Sequence, residues 1–402
     1  MVNRLPNVCS AADEARRDRS LSRLDRNTSE LSDALDLVHG IPRVGSGRGS
    51  KFFVYSNSVG SVWVLPADGR DRQASLALYA PQKILGRILR LAMRFGALSR
   101  TRIELESKSL HRLGREIATV LGEPSVTLAF YIGTPSAYRK TTACAIGDSG
   151  DVVGFVKLAS LGPSKSLVRN ERNVLVELSC ADELQGRVPD VAGAFDWMGA
   201  DVLVLTPGPR GRGPGRLGPP HVEFLSRLHR ATSTPGRLVD SPSWSHAVET
   251  IERLGSRIPQ IWADRYTAAL DRLSSGLGRR TIPLSRAHRD FTPWNTTIGQ
   301  NGLFAFDWEM SRDGLPPLYD VFHFAAASAA LLGRPFDIPS VTGDLLSRLW
   351  PDGSGMTDEL RLAYLTDVSV HYTEARVEHP TEGCDVMWNW QGQELDRVLA
   401  TG

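Results

Sequence analysis

The chain has 402 residues, of which 47 are basic and 45 are acidic, so its formal net charge is +2. This length suits two or three domains, and the hydrophobic fraction of 41% excludes a chain that is disordered throughout. The balanced charge argues against a dedicated nucleic-acid-binding protein, and we expect no nucleic-acid partner.

Cysteine usage and hydropathy indicate the cellular compartment in which the protein is expected. The four cysteines are widely spaced without a C-x-x-C pair, which argues against a disulfide framework or a zinc site and fits a reducing compartment. No apolar run reaches the roughly 18–20 residues that a membrane-spanning helix needs. The N-terminus carries charged residues between Asp13 and Arg26 where a secretory signal would be apolar. The sequence therefore predicts a cytoplasmic protein without a transmembrane segment.

The N-terminal part of the chain predicts a polar arm followed by a small αβ module. Residues 1–50 are rich in Ser, Arg and Asp and predict a flexible arm. Three short runs of strand-forming residues, separated by turn residues, then predict a small strand meander: Lys51–Tyr55, Ser61–Leu65 and Ala74–Tyr79. We interpret residues 51–120 as an αβ module of unknown role.

Within this module, residues 82–96 predict a basic amphipathic helix that begins near Pro81. Its apolar residues fall on one face and its basic residues on the other. The apolar set is Ile84, Leu85, Ile88, Leu91, Ala92 and Phe95, and the basic set is Lys83, Arg87, Arg90 and Arg94. Such a helix either packs on its own domain with a solvated basic face or makes peripheral contact with an anionic membrane surface.

The next part of the chain alternates strands with helices. Helical periodicity is predicted at Leu110–Leu121 and near Leu167–Leu178. Strands are predicted at Ser125–Ile132, Thr141–Ile146, Asp151–Leu158, Val191–Trp197 and Asp201–Thr206. Residues 207–220 are rich in Gly, Pro and Arg and predict a linker between two lobes. Residues 221–402 are predicted to be mostly helical, interrupted by strands at Ile282–His288 and Leu303–Phe306.

The most informative motif begins at His288. Its Asp290 is followed five positions later by Asn295, and a short hydrophobic strand then leads to Asp307. One carboxylate can contact an incoming hydroxyl, while an amide oxygen and a second carboxylate are hard ligands suited to Mg²⁺. Phosphoryl transfer needs these parts together with a clamp for the phosphates.

The two halves of this motif, H-x-D-x-x-x-x-N and Asp307-Trp308-Glu309, resemble the catalytic loop and metal-binding strand of the aminoglycoside phosphotransferase and choline kinase family. That family belongs to the protein-kinase-like superfamily. The resemblance implies an α+β, two-lobed protein-kinase-like fold, with a small antiparallel-sheet N-lobe at 121–206 and a mainly helical C-lobe at 221–402. The N-terminal αβ module would then be an addition to this fold.

The resemblance also assigns roles to individual residues. Asp290 would orient the acceptor hydroxyl as the catalytic residue, and Asn295 and Asp307 would hold Mg²⁺. Lys157 would contact the phosphates of ATP, with Glu171 orienting it. The remaining nucleotide-binding positions are Ser136 and Thr206, the latter in a hinge-like segment at Val202–Gly208. The loop at Gly133–Lys140 lacks the G-x-G-x-x-G pattern but could cover the phosphates through backbone amides, Ser136 and Lys140.

The predicted activity is therefore ATP- and Mg²⁺-dependent transfer of the γ-phosphoryl group to a hydroxyl of a small molecule, of sugar, aminosugar or amino alcohol type. Arg289, where this family usually has Gly or Asn, gives the H-R-D order of protein kinases, so a protein kinase remains an alternative. No D-F-G or A-P-E motif follows, which favours a small-molecule substrate. A non-catalytic nucleotide-binding pseudokinase module is the other alternative.

The charge of the C-terminal segment is relevant to the charge of the acceptor molecule. Residues 351–402 hold ten acidic residues and three arginines. Such a segment predicts either a negatively charged wall that attracts a cationic acceptor or an ordinary acidic surface.

Overall fold

The computed structural model describes most of the chain beyond the N-terminal segment. The described residues are 49–57, 60–79, 81, 84–97, 99, 101–211, 213–336, 341–379 and 385–401. An eight-stranded antiparallel sheet lies within residues 49–205 and helices dominate from residue 219 onward, which confirms the predicted two-lobed α+β fold. The predicted arm at 1–50 lies almost entirely outside the described residues.

The strands of the described chain are numbered in order. They are β1 (Gly49–Ser56), β2 (Val62–Pro66), β3 (Thr101–Glu106), β4 (Val126–Ile132), β5 (Thr141–Gly147), β6 (Val152–Ala159), β7 (Val191–Trp197), β8 (Ala200–Leu205), β9 (Thr234–Arg237), β10 (Thr281–Ala287), β11 (Thr296–Gly299), β12 (Gly302–Ala305) and β13 (Arg312–Leu315).

The helices are numbered in the same way. They are α1 (Gly69–Ser75), α2 (Ile84–Arg94), α3 (Ser107–Leu121), α4 (Gly162–Ser179), α5 (Pro219–Thr232), α6 (Pro242–Leu254), α7 (Gln260–Ser275), α8 (Tyr319–Leu332), α9 (Val341–Leu349), α10 (Thr357–Glu378) and α11 (Asp385–Ala400).

One antiparallel sheet of eight strands forms the N-lobe. Its order is β3-β1-β2-β4-β5-β6-β8-β7, so the strands of the N-terminal module extend the sheet that carries the predicted site. The link is direct, because Val62 to Val64 of β2 pair with Phe130 to Ile132 of β4. The division of the chain at residue 120 stays a prediction, but hydrogen bonding of the sheet runs across it.

Two local features of the N-terminal module differ from the sequence prediction. The strand predicted at Ala74–Tyr79 is wrong: α1 ends at Ser75 and a 3-10 turn follows at Leu76–Leu78. The side chain of Asp68 caps α1 by accepting hydrogen bonds from the backbone of Arg70 and Asp71, which commits this segment to helix. Strand β3 was not predicted, although Ile103 and Leu105 alternate with polar residues as in a half-buried strand.

Helix α2 contacts the sheet through a face other than the predicted one. Met93 is fully buried in a cluster with Trp63 and Leu65, and Leu89 packs against the same cluster. The side chains of Leu85 and Leu91, which would be buried if the predicted apolar face packed on the domain, are exposed. Among the helices that the structure describes, none is long and apolar enough to cross a lipid bilayer.

The C-lobe positions the motif on two small β structures. Strand β10 leads into the motif and lies between β13 and β9. Strands β11 and β12 form a hairpin with Thr296 opposite Ala305 and Gly299 opposite Gly302. The linker runs along this hairpin: a Cβ atom on Gly208 would clash with the ring of Phe304. This close approach explains a glycine at that position of the linker.

A buried histidine supports the first helix of the C-lobe. His221 of α5 is fully buried beside Phe324 and Phe291, and its Nδ1 accepts a hydrogen bond from the backbone of Gly218 at 3.2 Å. Burial penalises the charged ring and lowers the pKa of His221 to about 4.

This lowered pKa predicts a pH-dependent stability. Between pH 6.5 and about 4 the unfolded chain binds a proton on His221 that the folded chain does not, so the free energy of unfolding should fall as the pH falls. The slope from this group is about 1.4 kcal/mol per pH unit. Urea unfolding at several pH values should show a shallower slope for His221→Asn, and curves parallel to those of the wild type would contradict the prediction.

Candidate active site

The centre of the candidate site is the ammonium group of Lys157. Lys157 lies in the middle of the sheet, where β6 pairs with β5 through Thr142 and with β8 through Leu203. Its Nζ forms ion pairs with Glu171 of α4 and with Asp307, which follows β12. One side chain therefore links the N-lobe sheet, its helix and the C-lobe hairpin.

Glu171 is fully buried, which a carboxylate tolerates only when it is paired. Its Oε2 contacts Lys157 and its Oε1 accepts a hydrogen bond from the backbone of Trp308 at 3.1 Å. Burial disfavours the charged lysine, but the carboxylates of Asp307 and Glu171 more than compensate and raise the pKa of Lys157 above its ordinary value. The predicted contact between Lys157 and Glu171 is thus present in the structure.

Lys140 is a second lysine at the site, and it belongs to the loop that the sequence analysis expects to cover the phosphates. It lies at the end of the loop between β4 and β5, and its Nζ contacts Asp307 at 3.2 Å and also Glu309. Burial lowers the pKa of Lys140, Asp307 opposes this, and the nearby Lys157 lowers it again. The sequence analysis did not predict that Lys140 contacts Asp307 and Glu309; the available signal was composition, because the chain has only six lysines and two of them meet here.

The carboxylates at this point form a cluster that suits a divalent cation. Oxygen atoms of Glu171, Asp307 and Glu309 lie within 4.8 Å of one another. An all-oxygen donor set is what Mg²⁺ prefers. Although burial favours the neutral acid, Lys140 and Lys157 hold the pKa of Asp307 well below its ordinary range. The cluster thus presents an ionised Asp307 to a cation.

The backbone conformation at Asp307 is unusual. Its φ is 71°, in the left-handed region that non-glycine residues rarely adopt. The preceding residue, Phe306, donates its backbone N–H to the backbone oxygen of Asn295 at 3.0 Å. Asn295 and Asp307 therefore flank the same end of the β11–β12 hairpin, and their part in metal binding stays a prediction.

The side chains of Asp290 and Asn295 are hydrogen-bonded to each other. Asn295 Nδ2 donates to Asp290 Oδ2 at 2.8 Å and to the Asp290 backbone oxygen at 3.0 Å. The other carboxylate oxygen, Oδ1, lies 3.4 Å from Nε2 of His323 on α8. The Asp290 side chain is 37% exposed, so a ligand can reach the carboxylate while its orientation is fixed.

A buried aspartate holds the backbone of the motif loop. Asp320, at the start of α8, accepts hydrogen bonds from the backbone of His288 at 2.8 Å and of Arg289 at 3.0 Å. The His288 ring accepts from the Asp290 backbone at Nδ1, and its Nε2 lies 3.0 Å from the Phe306 oxygen. His288 and Asp320 thus brace the loop, and neither is available for chemistry.

Arg289 is an internal anchor. It has a φ of 65°, and its side chain is buried against α10, where Nη2 donates to Asp367 Oδ2 at 2.8 Å. The hydroxyl of Tyr319 donates to the same oxygen at 2.6 Å. Although burial opposes both charges, the ion pair raises the pKa of Arg289 and lowers the pKa of Asp367. The arginine that gives the H-R-D order ties the motif loop to the C-terminal helices.

The other two predicted nucleotide-binding residues are Ser136 and Thr206. Ser136 lies in the loop that ends at Lys140, and its backbone oxygen accepts from Arg139 at 3.1 Å. The hydroxyl of Thr206 accepts a hydrogen bond from the backbone of Asp190 at 2.9 Å, so this side chain joins the ends of β7 and β8. Their part in nucleotide binding stays a prediction.

Most of the C-terminal acidic residues are neutralised by arginines, many of them from elsewhere in the chain. The pairs are Glu374 and Glu378 with Arg253, Asp396 with Arg265, Asp367 with Arg289, Glu394 with Arg361, and Asp385 with Arg376. The ten acidic residues counted in the sequence therefore do not form a free negative wall across the described part of this segment.

Residues 148–353, just over half of the chain, match the phosphotransferase enzyme family. Among solved structures, a thermostable mutant of aminoglycoside phosphotransferase APH(4)-Ia is 15% identical over 72% of this chain and 99% of its own, with a TM-score of 0.45. A choline/ethanolamine kinase family protein from Mesorhizobium loti is 14% identical over 64% of this chain and 84% of its own, with a TM-score of 0.44. The search of curated proteins finds no match.

The Arg289–Asp367 pair predicts a large effect on stability. Arg289→Met leaves a buried carboxylate without its main partner and should lower the free energy of unfolding by about 3–5 kcal/mol. Arg289→Met combined with Asp367→Leu should recover at least half of this loss, because both buried charges are then removed. Urea unfolding measures the free energy of unfolding of the single and the double variant, with the exposed Arg279→Met as control. A double variant no more stable than the single one would contradict this account.

Proposed function

This chain belongs to the phosphotransferase enzyme family, and on that premise we propose that it transfers the γ-phosphoryl group of ATP to a hydroxyl of a small molecule in a Mg²⁺-dependent reaction. The chain is a small-molecule kinase; ATP, Mg²⁺, the site residues and the acceptor are the parts that we propose. The acceptor class that we propose is a sugar, an aminosugar or an amino alcohol.

One observation carries the proposal. The Lys157 ammonium lies between Glu171 and Asp307, and the chain folds so that Asp307 and Asn295 flank one end of a hairpin. Asn295 in turn holds Asp290. Residues from β6, α4 and two C-lobe loops are thus linked by direct contacts although they are up to 150 positions apart in sequence, which supports a shared role in phosphoryl transfer.

Asp290 is the residue that we propose to act on the acceptor. Its carboxylate is held from one side by Asn295 and faces His323 on the other, so it can orient a hydroxyl without moving. As the hydroxyl oxygen bonds to the γ-phosphorus, the bond to the bridging oxygen of ADP breaks, and Asp290 takes up the hydroxyl proton. Holding the reacting groups in line supplies most of the remaining rate enhancement.

The metal ligands that we propose are Asp307 and Asn295. The Asn295 amide nitrogen is used by Asp290, so its oxygen is the atom that remains for a cation. Glu309 adds a further carboxylate at the same point. A bound Mg²⁺ would supply positive charge to the phosphates of ATP. Lys157 and Lys140 place two more positive charges beside these ligands, where phosphate oxygens can replace the carboxylates as their partners.

The structure bears on the acceptor and on the protein-kinase alternative. Because the described C-terminal carboxylates are mostly paired with arginines, attraction of a cation to that segment does not support an aminosugar over a neutral sugar.

Arg289 was the feature of the sequence that favoured a protein kinase. Its pairing with Asp367 gives it a structural role, and so removes that argument.

The test of the proposed function is acceptor-dependent consumption of MgATP across a panel of sugars, aminoglycosides and amino alcohols. Asp290→Asn should lower kcat about 10²- to 10⁴-fold while changing the ATP affinity by less than about threefold, because it removes the proton acceptor and no phosphate contact. The exposed Asp358→Asn on α10 is the matched control. Unchanged turnover in Asp290→Asn would refute the assignment of this residue.

Lys140 gives a second prediction, independent of the acceptor. Its ammonium contacts the same carboxylates as a divalent cation would, so Lys140→Met should raise the affinity for Mn²⁺ in the absence of nucleotide. The same variant should weaken ATP binding at least about tenfold, since a charged hydrogen bond contributes about 1.5–3 kcal/mol.

Paramagnetic resonance measures the Mn²⁺ binding and calorimetry the ATP binding. The exposed Lys108→Met on α3 is the control and should change neither affinity. An unchanged Mn²⁺ affinity together with an unchanged ATP affinity in Lys140→Met would show that this lysine serves the loop alone.

A further inference from the structure

We infer that helix α2 is a membrane-docking element that places the N-lobe on an anionic lipid surface. Four large apolar side chains of this region are exposed: Leu85 (81%), Ile88 (58%), Leu91 (56%) and Phe95 (70%). We call them the α2 stripe. None of these four side chains packs into a hydrophobic cluster among the residues that the structure describes, and contiguous exposed apolar surface of this kind marks an interaction site.

The stripe faces away from the protein. Successive helical residues are rotated by about 100°, so Leu91 lies about 200° from Leu89 and Phe95 lies about 200° from Met93. Leu89 and Met93 pack into the sheet cluster that contains Trp63. The helix is thus already fixed to the domain through one face, and Leu91 and Phe95 lie on the opposite side. Leu85 lies only about 40° from Leu89 on the helix, but it is near the N-terminal end of the helix and is exposed. An insertion of these side chains into a bilayer would require no unfolding.

The charge around the stripe is strongly positive. Between Arg72 and Ile103 the sequence contains seven basic residues and no acidic residue, in a chain whose net charge is only +2. Arg87 and Arg94 are exposed beside the stripe, and the Arg94 guanidinium lies 5.8 Å from the centre of the Phe95 ring. Apolar side chains flanked by arginines are the chemistry that recognises anionic lipid headgroups and the acyl boundary beneath them.

A second copy of the chain is a poorer occupant. A two-fold contact places the same surface of each copy against the other. The arginines that border each stripe would then face one another without intervening carboxylates, because this segment has none. Like charges across such a contact oppose association. A lipid surface supplies the opposite charge and the apolar phase together.

The experiment is flotation of the full chain with vesicles of phosphatidylcholine alone or mixed with phosphatidylglycerol. The wild type should float with the mixed vesicles, float far less with the neutral ones, and lose binding as salt is raised. Leu85→Ser combined with Leu91→Ser should lower the partition coefficient at least about tenfold, because two apolar side chains no longer leave water. Arg87→Glu combined with Arg94→Glu should lower it at least about fivefold for each arginine.

Matched controls separate the stripe from general surface properties. Ile261→Ser on α7 removes an equally exposed apolar side chain (58%) from the C-lobe, and Arg279→Glu with Arg280→Glu makes the same charge change there. Both controls should float like the wild type. Since the stripe lies outside the candidate active site, nucleotide affinity in solution should be equal in all variants.

Three outcomes would overturn the inference. They are absence of flotation with the mixed vesicles, equal loss of binding in the control variants, and a concentration-dependent dimer that the stripe substitutions dissociate while vesicle binding is absent. The last outcome would identify a second copy as the occupant of the stripe. Light scattering on the same samples measures the dimer.

Discussion

The arrangement of the whole molecule depends on the positive charge of Lys157 in a nearly dry environment. A buried ammonium is tolerated only where carboxylates surround it, and here Glu171 and Asp307 come from a helix and a loop of different lobes. The pairing fixes α4 against the sheet and draws the end of the β11–β12 hairpin to the same point. Electrostatic complementarity at one atom thus sets the relative position of the parts of the site.

Around this centre, the motif loop is held by groups that take no part in chemistry. Asp320 fixes two consecutive backbone N–H groups, and the second of them belongs to Arg289, whose backbone is in the left-handed region. Such backbone persists only where the surroundings over-determine it. The ion pair of Arg289 with Asp367 supplies that constraint and leaves the Asp290 carboxylate as the accessible acid of the loop.

The N-terminal module changes the outer part of the fold while leaving this centre intact. Strands β1 to β3 lengthen the sheet on the edge far from α4, and α1 and α2 cover one of its faces. Helix α2 is fixed by Leu89 and Met93, which leaves its more apolar face in water. Sequence periodicity identifies two faces on such a helix, but the fit to Trp63 and Leu65 decides which of them is buried.

Much of the candidate site could be predicted from local patterns. The spacing from Asp290 to Asn295 and the strand before Asp307 are properties of one short segment. Lys157 and Glu171 lie on a strand and a helix that the sequence pattern predicts, but the family resemblance was what assigned them to the site. The segment Ala74–Tyr79 shows the limit of prediction from local patterns. Its residues look strand-forming, but the Asp68 cap starts a helix just before them. The C-terminal acidic residues show a second limit of local patterns, because some of their arginine partners lie on α6 and α7, far away in the sequence.

The sequence by itself determined the two-lobed α+β class, the motif that leads to phosphoryl transfer and most of the side chains that meet at Lys157. Only the tertiary structure decided that Lys140 joins them, that Arg289 is an anchor, that the N-terminal strands continue the sheet and that the α2 stripe faces water. The physical reason is the sequence separation over which the interactions act. Periodicity and spacing report interactions within a few turns of chain, whereas ion pairing across 167 positions, as between Lys140 and Asp307, depends on how the elements pack.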